Sequence, residues 1–315
     1  MKTPLILALF ISLPTHAAIF GSDDRVPLLP TSPLRELGRA TAVAVLSANI
    51  EPDDATPGTY KIDAGTLDGY LCPGERFEKD QSLSYACSGF LVAPDLMVTA
   101  GHCASNTGET RDEPAMYCEA FGWLFDYQQN AKGEIQARGI PADKYYKCKK
   151  IIFAVRDETA PFRDFALVQL DRPVLGRTPL KIADVTEKVS GALHMIGYPM
   201  GTPMKLTSNA RVLLDDPTRQ SFVTTLDAFE GNSGSAVLNA RGEIVGILTG
   251  GTPAQSTYRR EGEQCERYNR CDDQGQNCLL PDKDTGAFPG FQGTGSEVQR
   301  IAPVLELLKA RASLR

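Results

Sequence analysis

The stretch GNSGSAVLNARGEIVGILTGG, residues 231–251, places five small residues directly before two short apolar runs. The runs SAVLN (235–239) and EIVGILT (243–249) contain several β-branched residues and are separated by a polar turn. This combination is typical of two adjacent β-strands. The glycine-flanked Ser233 that precedes them is either part of an ordinary tight turn or a reactive group, and only partners elsewhere in the chain can decide between the two.

Similar runs, rich in Val, Ile, Leu and Phe, recur along the chain between Gly, Pro, Asn and Asp residues. They are TAVAVL (41–46), CSGFLVA (87–93), LMVTA (96–100), KIIFAV (150–155), FALVQL (165–170), ALHMIGY (192–198) and FVTTL (222–226). This pattern predicts an all-β fold of sheets or barrels rather than alternating β-α-β units. Only the C-terminus predicts a helix, over about residues 302–313, because Pro303 suits a first turn and good helix formers follow it.

The first residues have the features of an export signal. Lys2 is followed by an apolar run over residues 5–13, and Ala17 and Ala18 offer a cleavage site. The run is shorter than the about 20 residues that a membrane span needs. We therefore expect a signal peptide over residues 1–18 and an exported protein, periplasmic or secreted, with no membrane span. Residues 19–38 carry three prolines and are expected to be extended, as a pro-segment or as a strap across the body.

The composition is that of an ordinary globular chain, with 42% hydrophobic residues, 23% charged residues and a formal net charge of −6. Because basic residues are not clustered, nucleic acid is not expected as a partner.

All eight cysteines follow the predicted signal peptide. An even number in an exported chain favours disulfides. A structural zinc site usually needs cysteine pairs two to four residues apart, and the tightest gaps here, Cys265 to Cys271 and Cys271 to Cys278, are wider. Residues 252–296, rich in Gly, Gln, Arg, Asp and Cys, are expected to form a long disulfide-held loop.

Three polar residues supply the parts of a nucleophilic site. His102 ends a strand-like run, Asp164 precedes another, and Ser233 lies in the glycine-rich stretch. Taken alone, a histidine at the position of His102 is more often structural than catalytic. Asp164 alone would be an ordinary strand-edge residue, and Ser233 alone would be a turn residue. Together they offer a nucleophile, a base and an acid that orients the base. Their order in the chain is His, Asp, Ser; α/β-hydrolases use Ser, acid, His, and Ser235 replaces the second glycine of their elbow motif.

The motifs VTAGHC (98–103), DFALVQL (164–170) and GNSGSAV (231–237) resemble the histidine, aspartate and serine motifs of chymotrypsin/trypsin-fold serine peptidases. The closer resemblance is to the bacterial trypsin-like and glutamyl endopeptidase branch, which carries GNSGS. It implies two antiparallel β-barrels in one peptidase domain over residues 39–315, with barrels at about 39–172 and 173–300 and the C-terminal helix. It also implies hydrolysis of protein or peptide substrates. We expect a monomer, with no cofactor and no metal.

The resemblance assigns further roles residue by residue. His102, Asp164 and Ser233 would be catalytic, and the backbone N–H groups of Gly231 and Ser233 would form the oxyanion hole. The primary pocket would be formed by Asp227, Ala228, Thr249, Gly250 and Gly251. An aspartate six residues before the nucleophile selects Arg or Lys in trypsin-like enzymes, so cleavage after Arg or Lys is predicted; the alternative is that Asp227 only hydrogen-bonds its own loop.

The same resemblance implies a disulfide between Cys87 and Cys103, beside the histidine. Cys118 and Cys148 bracket a stretch that looks like two strands joined by a loop, which predicts a second bridge. The pairing of Cys72, Cys265, Cys271 and Cys278 stays open.

Two positions depart from the trypsin pattern. Asn232 stands where trypsin-like zymogens carry an aspartate that pairs with a newly cut N-terminus, so activation by that ion pair is not expected. Phe229 replaces a cysteine that braces the pocket in vertebrate trypsins. The alternative to an enzyme is a catalytically silent binding protein on the same fold, although silent relatives usually lose a triad member.

Overall fold

The computed structural model describes residues 18–84, 86–105, 114–157, 163–251, 256–280 and 293–313. The predicted signal peptide lies outside the described residues apart from Ala18. In the described part of the chain, no helix is both long enough and apolar enough to cross a membrane.

Most of the described elements are strands. In chain order the first twelve are β1 (Ile19–Phe20), β2 (Val26–Pro27), β3 (Thr41–Leu46), β4 (Ile50–Pro52), β5 (Thr59–Ile62), β6 (Gly65–Thr66), β7 (Gln81–Ser82), β8 (Cys87–Ala93), β9 (Leu96–Thr99), β10 (Phe121–Phe125), β11 (Ile140–Pro141) and β12 (Tyr145–Arg156). The others are β13 (Asp164–Leu170), β14 (Leu193–Gly197), β15 (Lys205–Ala210), β16 (Val212–Leu214), β17 (Ser221–Thr224), β18 (Ala236–Leu238), β19 (Ile244–Gly251), β20 (Thr257–Tyr258), β21 (Arg267–Tyr268), β22 (Arg270–Cys271) and β23 (Ser296–Arg300). The prediction of an all-β chain is confirmed.

The first half forms a closed barrel of strands in the order β10-β12-β13-β9-β8-β3. Its strands alternate little between apolar and polar residues, since the middle of β3 and β8 is buried on both faces. Trp123 fills the barrel centre and is fully buried. Gly89 lies against this ring, where a Cβ atom would come to 2.5 Å from it, so a larger residue there would force the ring or the strand to move.

The second half forms an eight-stranded sheet in the order β16-β17-β23-β19-β18-β14-β15-β2. Within the described residues the outer strands β16 and β2 are not paired with each other. The sheet is therefore a half-barrel and not a closed barrel. The sequence therefore predicted two barrels, and the structure has one closed barrel and one half-barrel. The outermost strand, β2, comes from the N-terminal segment, which also adds β1 parallel to β22.

Helices are few and short among the described residues. The predicted C-terminal helix is confirmed as α3 (Ala302–Ser313), with Val304 buried against the core. Two more were not predicted: α1 (Arg35–Arg39) and α2 (Pro114–Ala120). Cys118 lies on α2, so the stretch bracketed by the second bridge begins as a helix before entering β10 and β12.

All eight cysteines are paired. Both predicted bridges, Cys87–Cys103 and Cys118–Cys148, are present, and the open pairing is resolved as Cys72–Cys265 and Cys271–Cys278. The long loop is therefore stapled to the first half by one bridge across 193 residues and closed on itself by a short one.

Candidate active site

The three candidate residues lie on different elements. His102 is the middle residue of a single 3₁₀ turn, Gly101–Cys103, that follows β9. Asp164 is the first residue of β13, the neighbour of β9 in the barrel. Ser233 lies in the loop between β17 and β18, which belong to the second half. The site is therefore assembled across the junction of the two halves.

The carboxylate of Asp164 holds His102 at two points. His102 Nδ1 lies 2.7 Å from Oδ2, and the backbone N–H of His102 donates to Oδ1 at 2.8 Å. An ionised carboxylate only accepts hydrogen bonds, so in the neutral form of the imidazole this contact favours the proton on Nδ1 and the lone pair on Nε2. Gly101 permits the approach, because a Cβ atom there would lie 2.9 Å from Asp164 Oδ1. The arrangement gives a base in one fixed tautomer.

Gln299 in turn holds Asp164. Its side-chain oxygen accepts the backbone N–H of Asp164 at 3.0 Å. Its amide nitrogen donates to the carbonyl oxygen of Gln220 at 2.8 Å, and the side chain is 1% exposed. The bond to Gln220 fixes the orientation of the side-chain amide, with its oxygen towards Asp164. Strand β23 of the second half therefore positions the first residue of β13. No sequence motif pointed to Gln299.

Ser233 is tied to the first barrel through its backbone. Its carbonyl oxygen accepts the N–H of Ser88 at 2.7 Å and lies 3.8 Å from Cys103 Sγ, beside His102. The residue is 4% exposed. Its hydroxyl makes no hydrogen bond to another described residue. The hydrogen bond between nucleophile and base is often long in serine sites without substrate.

The loop before Ser233 contains the two residues whose N–H groups were predicted to form an oxyanion hole. Gly231 has φ +88°, and a Cβ atom there would collide with the carbonyl oxygen of Tyr198, so only glycine fits. The hydroxyl of Ser88 donates to the carbonyl oxygen of Gly231 at 2.7 Å. That bond fixes the peptide unit between Gly231 and Asn232, and the carbonyl oxygen of Glu230, in the peptide unit that carries the N–H of Gly231, accepts the N–H of Met200. Neither the N–H of Gly231 nor that of Ser233 donates to another described residue. Two unused N–H groups flank the candidate nucleophile.

Asn232 lies between these two N–H groups. Its side chain is 1% exposed, and neither of its amide atoms has a hydrogen-bond partner among the described residues. The hydrogen bonds from Ser88 to Ser233 and Gly231 hold the loop. Asn232 carries no charge, so no ion pair at this position contributes.

The residues expected to form the primary pocket have different surroundings. Ala228 is buried in an apolar cluster of the second half. Thr249, on β19, is 7% exposed and its hydroxyl lies 3.4 Å from the carbonyl oxygen of Glu297. Gly250 and Gly251 continue β19, and a Cβ atom at Gly250 would meet no atom of the described residues within 4 Å. Among the described residues, the space beside Gly250 is therefore open.

Asp227 does not face open space. It is 1% exposed, and its two oxygens accept the backbone N–H groups of Phe20 and Asp24, each at 2.8 Å. Burial raises the pKa of Asp227 to about 7, although the two N–H donors act to lower it. The carboxylate thus faces the N-terminal segment, a partner that the sequence did not indicate.

His194, the other described histidine, lies on β14 opposite Leu238. Its Nδ1 is buried and has no hydrogen-bond partner among the described residues, and burial lowers its pKa. It makes no described contact with a carboxylate, so it lacks the acid that would orient a catalytic base.

Two groups of side chains bring cysteines near other ligand types, Cys87 and Cys103 with His102, and Cys72 and Cys265 with Glu263. In both groups the cysteines are joined in disulfides, so neither group offers the thiolates that a zinc site needs.

The chain is similar to trypsin-like peptidases in sequence and in fold. Residues 87–247, just over half of the chain, match the profile of the trypsin-like peptidase domain. Human chymotrypsin-like elastase family member 3B is 35% identical over 77 residues, which are 24% of this chain and 28% of that protein. A solved structure of a Glu endopeptidase in complex with MPD is 16% identical, covers 94% of this chain and 99% of its own, and has a TM-score of 0.50. The structural similarity shows a chymotrypsin-like fold.

Proposed function

This chain belongs to the trypsin-like peptidase domain family, and on that premise we propose that it is an exported serine endopeptidase that acts through an acyl-enzyme. The observation that carries the proposal is the 2.7 Å contact between His102 Nδ1 and Asp164 Oδ2, because it supplies a base with a fixed tautomer beside the segment of Ser233.

In the first step, Ser233 Oγ attacks the carbonyl carbon of the scissile peptide bond and passes its proton to His102 Nε2. His102 then gives that proton to the leaving amine as the carbon–nitrogen bond breaks, and the acyl group stays on Ser233. A water molecule repeats the sequence, giving its proton to His102 and its oxygen to the acyl carbon. The carboxylic acid leaves, and the serine hydroxyl is restored. Asp164 stays ionised throughout and stabilises the imidazolium.

The negative charge that develops on the carbonyl oxygen is met by the N–H groups of Gly231 and Ser233. Both groups are unused in the described structure, so they need no rearrangement to receive it. Such preorganised donors contribute about 3–4 kcal/mol of transition-state stabilisation each in serine peptidases.

Labelling by a fluorophosphonate tests the proposal directly. We expect the purified native chain to form a covalent adduct on Ser233 and to cleave peptide substrates. Ser233→Ala should form no adduct, and His102→Ala should label far more slowly because its serine lacks a base. His194→Ala is the matched histidine control and should label like the native chain. A folded native chain that does not label would be a silent binding protein on this fold.

Cleavage after Arg or Lys stays a prediction. It rests on the position of Asp227 in the sequence, while the burial of its carboxylate and its two bonded N–H groups argue against a direct role at the pocket base. Peptides ending in Arg, Lys, Phe, Leu and Glu before a chromogenic leaving group would test it, and a preference for Glu or Leu would contradict it.

Export is supported by the four disulfides of the structure, since such bridges form and persist in oxidising compartments. The signal peptide and its cleavage site remain predictions. Sequencing the N-terminus of protein recovered from the periplasm and from the medium would locate both the cleavage site and the compartment.

A further inference from the structure

We propose that Asp227 is a positioning residue that anchors the N-terminal strap, defined as residues 18–28, beneath the loop of Ser233, and that this strap is a permanent part of the active protein. The claim about activity rests on the proposed peptidase function, whereas the claim about anchoring does not.

The carboxylate of Asp227 is fully used by the strap. One oxygen accepts the N–H of Phe20 and the other accepts the N–H of Asp24. These two donors lie four residues apart, so the strap bends around the carboxylate through Gly21, which has φ +68°. A buried carboxylate is costly unless it is hydrogen-bonded, and the strap supplies the only side-chain hydrogen bonds that Asp227 makes in the described residues.

The strap is also built into the body at both ends. At its start, β1 runs parallel to β22, with the N–H of Ile19 donating to Asn269 at 3.0 Å. At its end, β2 extends the half-barrel along β15, and the N–H of Leu28 donates to Met204 at 3.1 Å. Ala18 and Ile19 are fully buried. Removal of the strap would take β2 out of the sheet that carries the candidate site and leave β22 without its partner strand.

Arg25 forms a second link between the strap and the same loop. Its guanidinium lies 4.2 Å from the ring centre of Phe229 and 4.3 Å from that of Tyr268. The residue is 1% exposed, and its charge is paired with both oxygens of Asp23. Phe229, which replaces the bracing cysteine of vertebrate trypsins, is thus covered by a stacked arginine from the strap.

The two links act on the loop that leads to the candidate nucleophile. Asp227 and Phe229 precede Gly231 and Ser233 by a few residues, and the N–H of Asn232 donates back to the carbonyl oxygen of Phe229 at 3.0 Å. Loss of the strap would leave a buried carboxylate without partners and an aromatic ring without cover. The loop would then relax, and the oxyanion N–H groups would lose their direction.

A positioning role and a pocket role for Asp227 predict different substrate effects. If the carboxylate recognised a cationic side chain, its loss would affect only Arg and Lys substrates. If it anchors the strap, its loss should lower kcat/KM for every substrate by a similar factor, because the damaged part is shared by all of them.

The test compares exported protein carrying Asp227→Asn or Arg25→Ala with native protein and with Asp54→Asn, which makes the same substitution on an exposed side chain. Amide hydrogen exchange is followed at Phe20 and Asp24, with Val43 in the barrel as the internal reference. In both strap variants we expect faster exchange at the amides of Phe20 and Asp24 and an unchanged exchange rate at Val43. We also expect kcat/KM to fall about tenfold or more with Arg, Lys, Phe, Leu and Glu peptides alike, the effect of losing a charge-assisted hydrogen bond.

Unchanged exchange at Phe20 and Asp24 in either folded variant would overturn the anchoring role. A loss restricted to Arg and Lys peptides would overturn the positioning role in favour of a pocket role. If Asp227→Asn does not fold, Arg25→Ala decides both points, because its side chain lies outside the expected pocket. If native protein cleaves no peptide and does not label, the proposed peptidase function fails, and the exchange measurement still decides the anchoring.

Discussion

The side-chain oxygen of Gln299 accepts the backbone N–H of Asp164 at 3.0 Å, which links the last strand of the half-barrel to the acid of the candidate site. The bond does not touch the imidazole, yet it fixes the residue that orients the imidazole. Gln299 is therefore expected to act on catalysis through Asp164.

We expect Gln299→Leu to lower kcat about fivefold with little change in KM, because one buried hydrogen bond of about 1 kcal/mol holds the acid in position. Steady-state kinetics on a chromogenic peptide would measure this, with Gln274→Leu on an exposed loop as the matched control. A folded Gln299→Leu protein with native kcat would contradict the positioning role.

Ser88 fixes the peptide unit between Gly231 and Asn232, which joins the residues of the two proposed oxyanion N–H groups, since its hydroxyl donates to the carbonyl oxygen of Gly231. Ser88→Ala should lower kcat about tenfold and weaken binding of transition-state aldehyde inhibitors more than binding of substrate. Ser47→Ala, which removes an exposed hydroxyl that bonds to the backbone of Glu119 on α2, should leave both unchanged. Equal losses in substrate and inhibitor affinity would indicate a general packing defect instead.

Activity should rise from acidic towards neutral or mildly alkaline pH, because His102 accepts a proton from Ser233 only while its Nε2 lone pair is free. A pH profile of kcat/KM between pH 4 and 9 measures this, with stability checked at each pH. A maximum near pH 4 would be incompatible with the mechanism.

Glu243 should make stability depend on acid pH. Hydrogen bonds from Lys181, Arg241 and Asn239 lower the pKa of Glu243 from 4.5 to about 2 in the folded protein. The unfolded chain therefore takes up a proton first as pH falls, and the stabilisation is present above about pH 4.5 and disappears as pH falls towards 2. Glu243→Gln should lower the Tm at pH 7 and have progressively less effect below pH 4.5, whereas Glu306→Gln on the exposed face of α3 should have little effect at either pH.

The sequence predicted the elements whose signals are local. The run TAVAVL became β3 with its predicted bounds, and CSGFLVA became β8, because a short, β-branched, apolar run between turns has few other stable states. His102 and Asp164 were also predicted, because their motifs combine a reactive side chain with a strand, and the structure brings the two into contact.

Other features could not be predicted because they depend on contacts between distant segments. Gln299 is one of many glutamines until β23 is paired with β17 and β19, and Asp227 has an N-terminal partner 207 residues away. Helix α2 was missed since its seven residues are too few to show a helical period. The half-barrel was predicted as a barrel because closure depends on how the outer strands end, and no single strand encodes this.

Ser88 also limits how far the two halves of the chain can be treated as interchangeable modules. It stands next to Cys87 on β8, and its N–H and hydroxyl bond to Ser233 and Gly231 on the far side of the junction. A chimera that joins the first half of this chain to the second half of a relative would need a serine at this place and a glycine loop of matching length. One side chain of the barrel therefore constrains the exchange of halves within the family. A recombination point between residues 172 and 190 would separate Ser88 from the loop of Gly231 and Ser233, which it contacts.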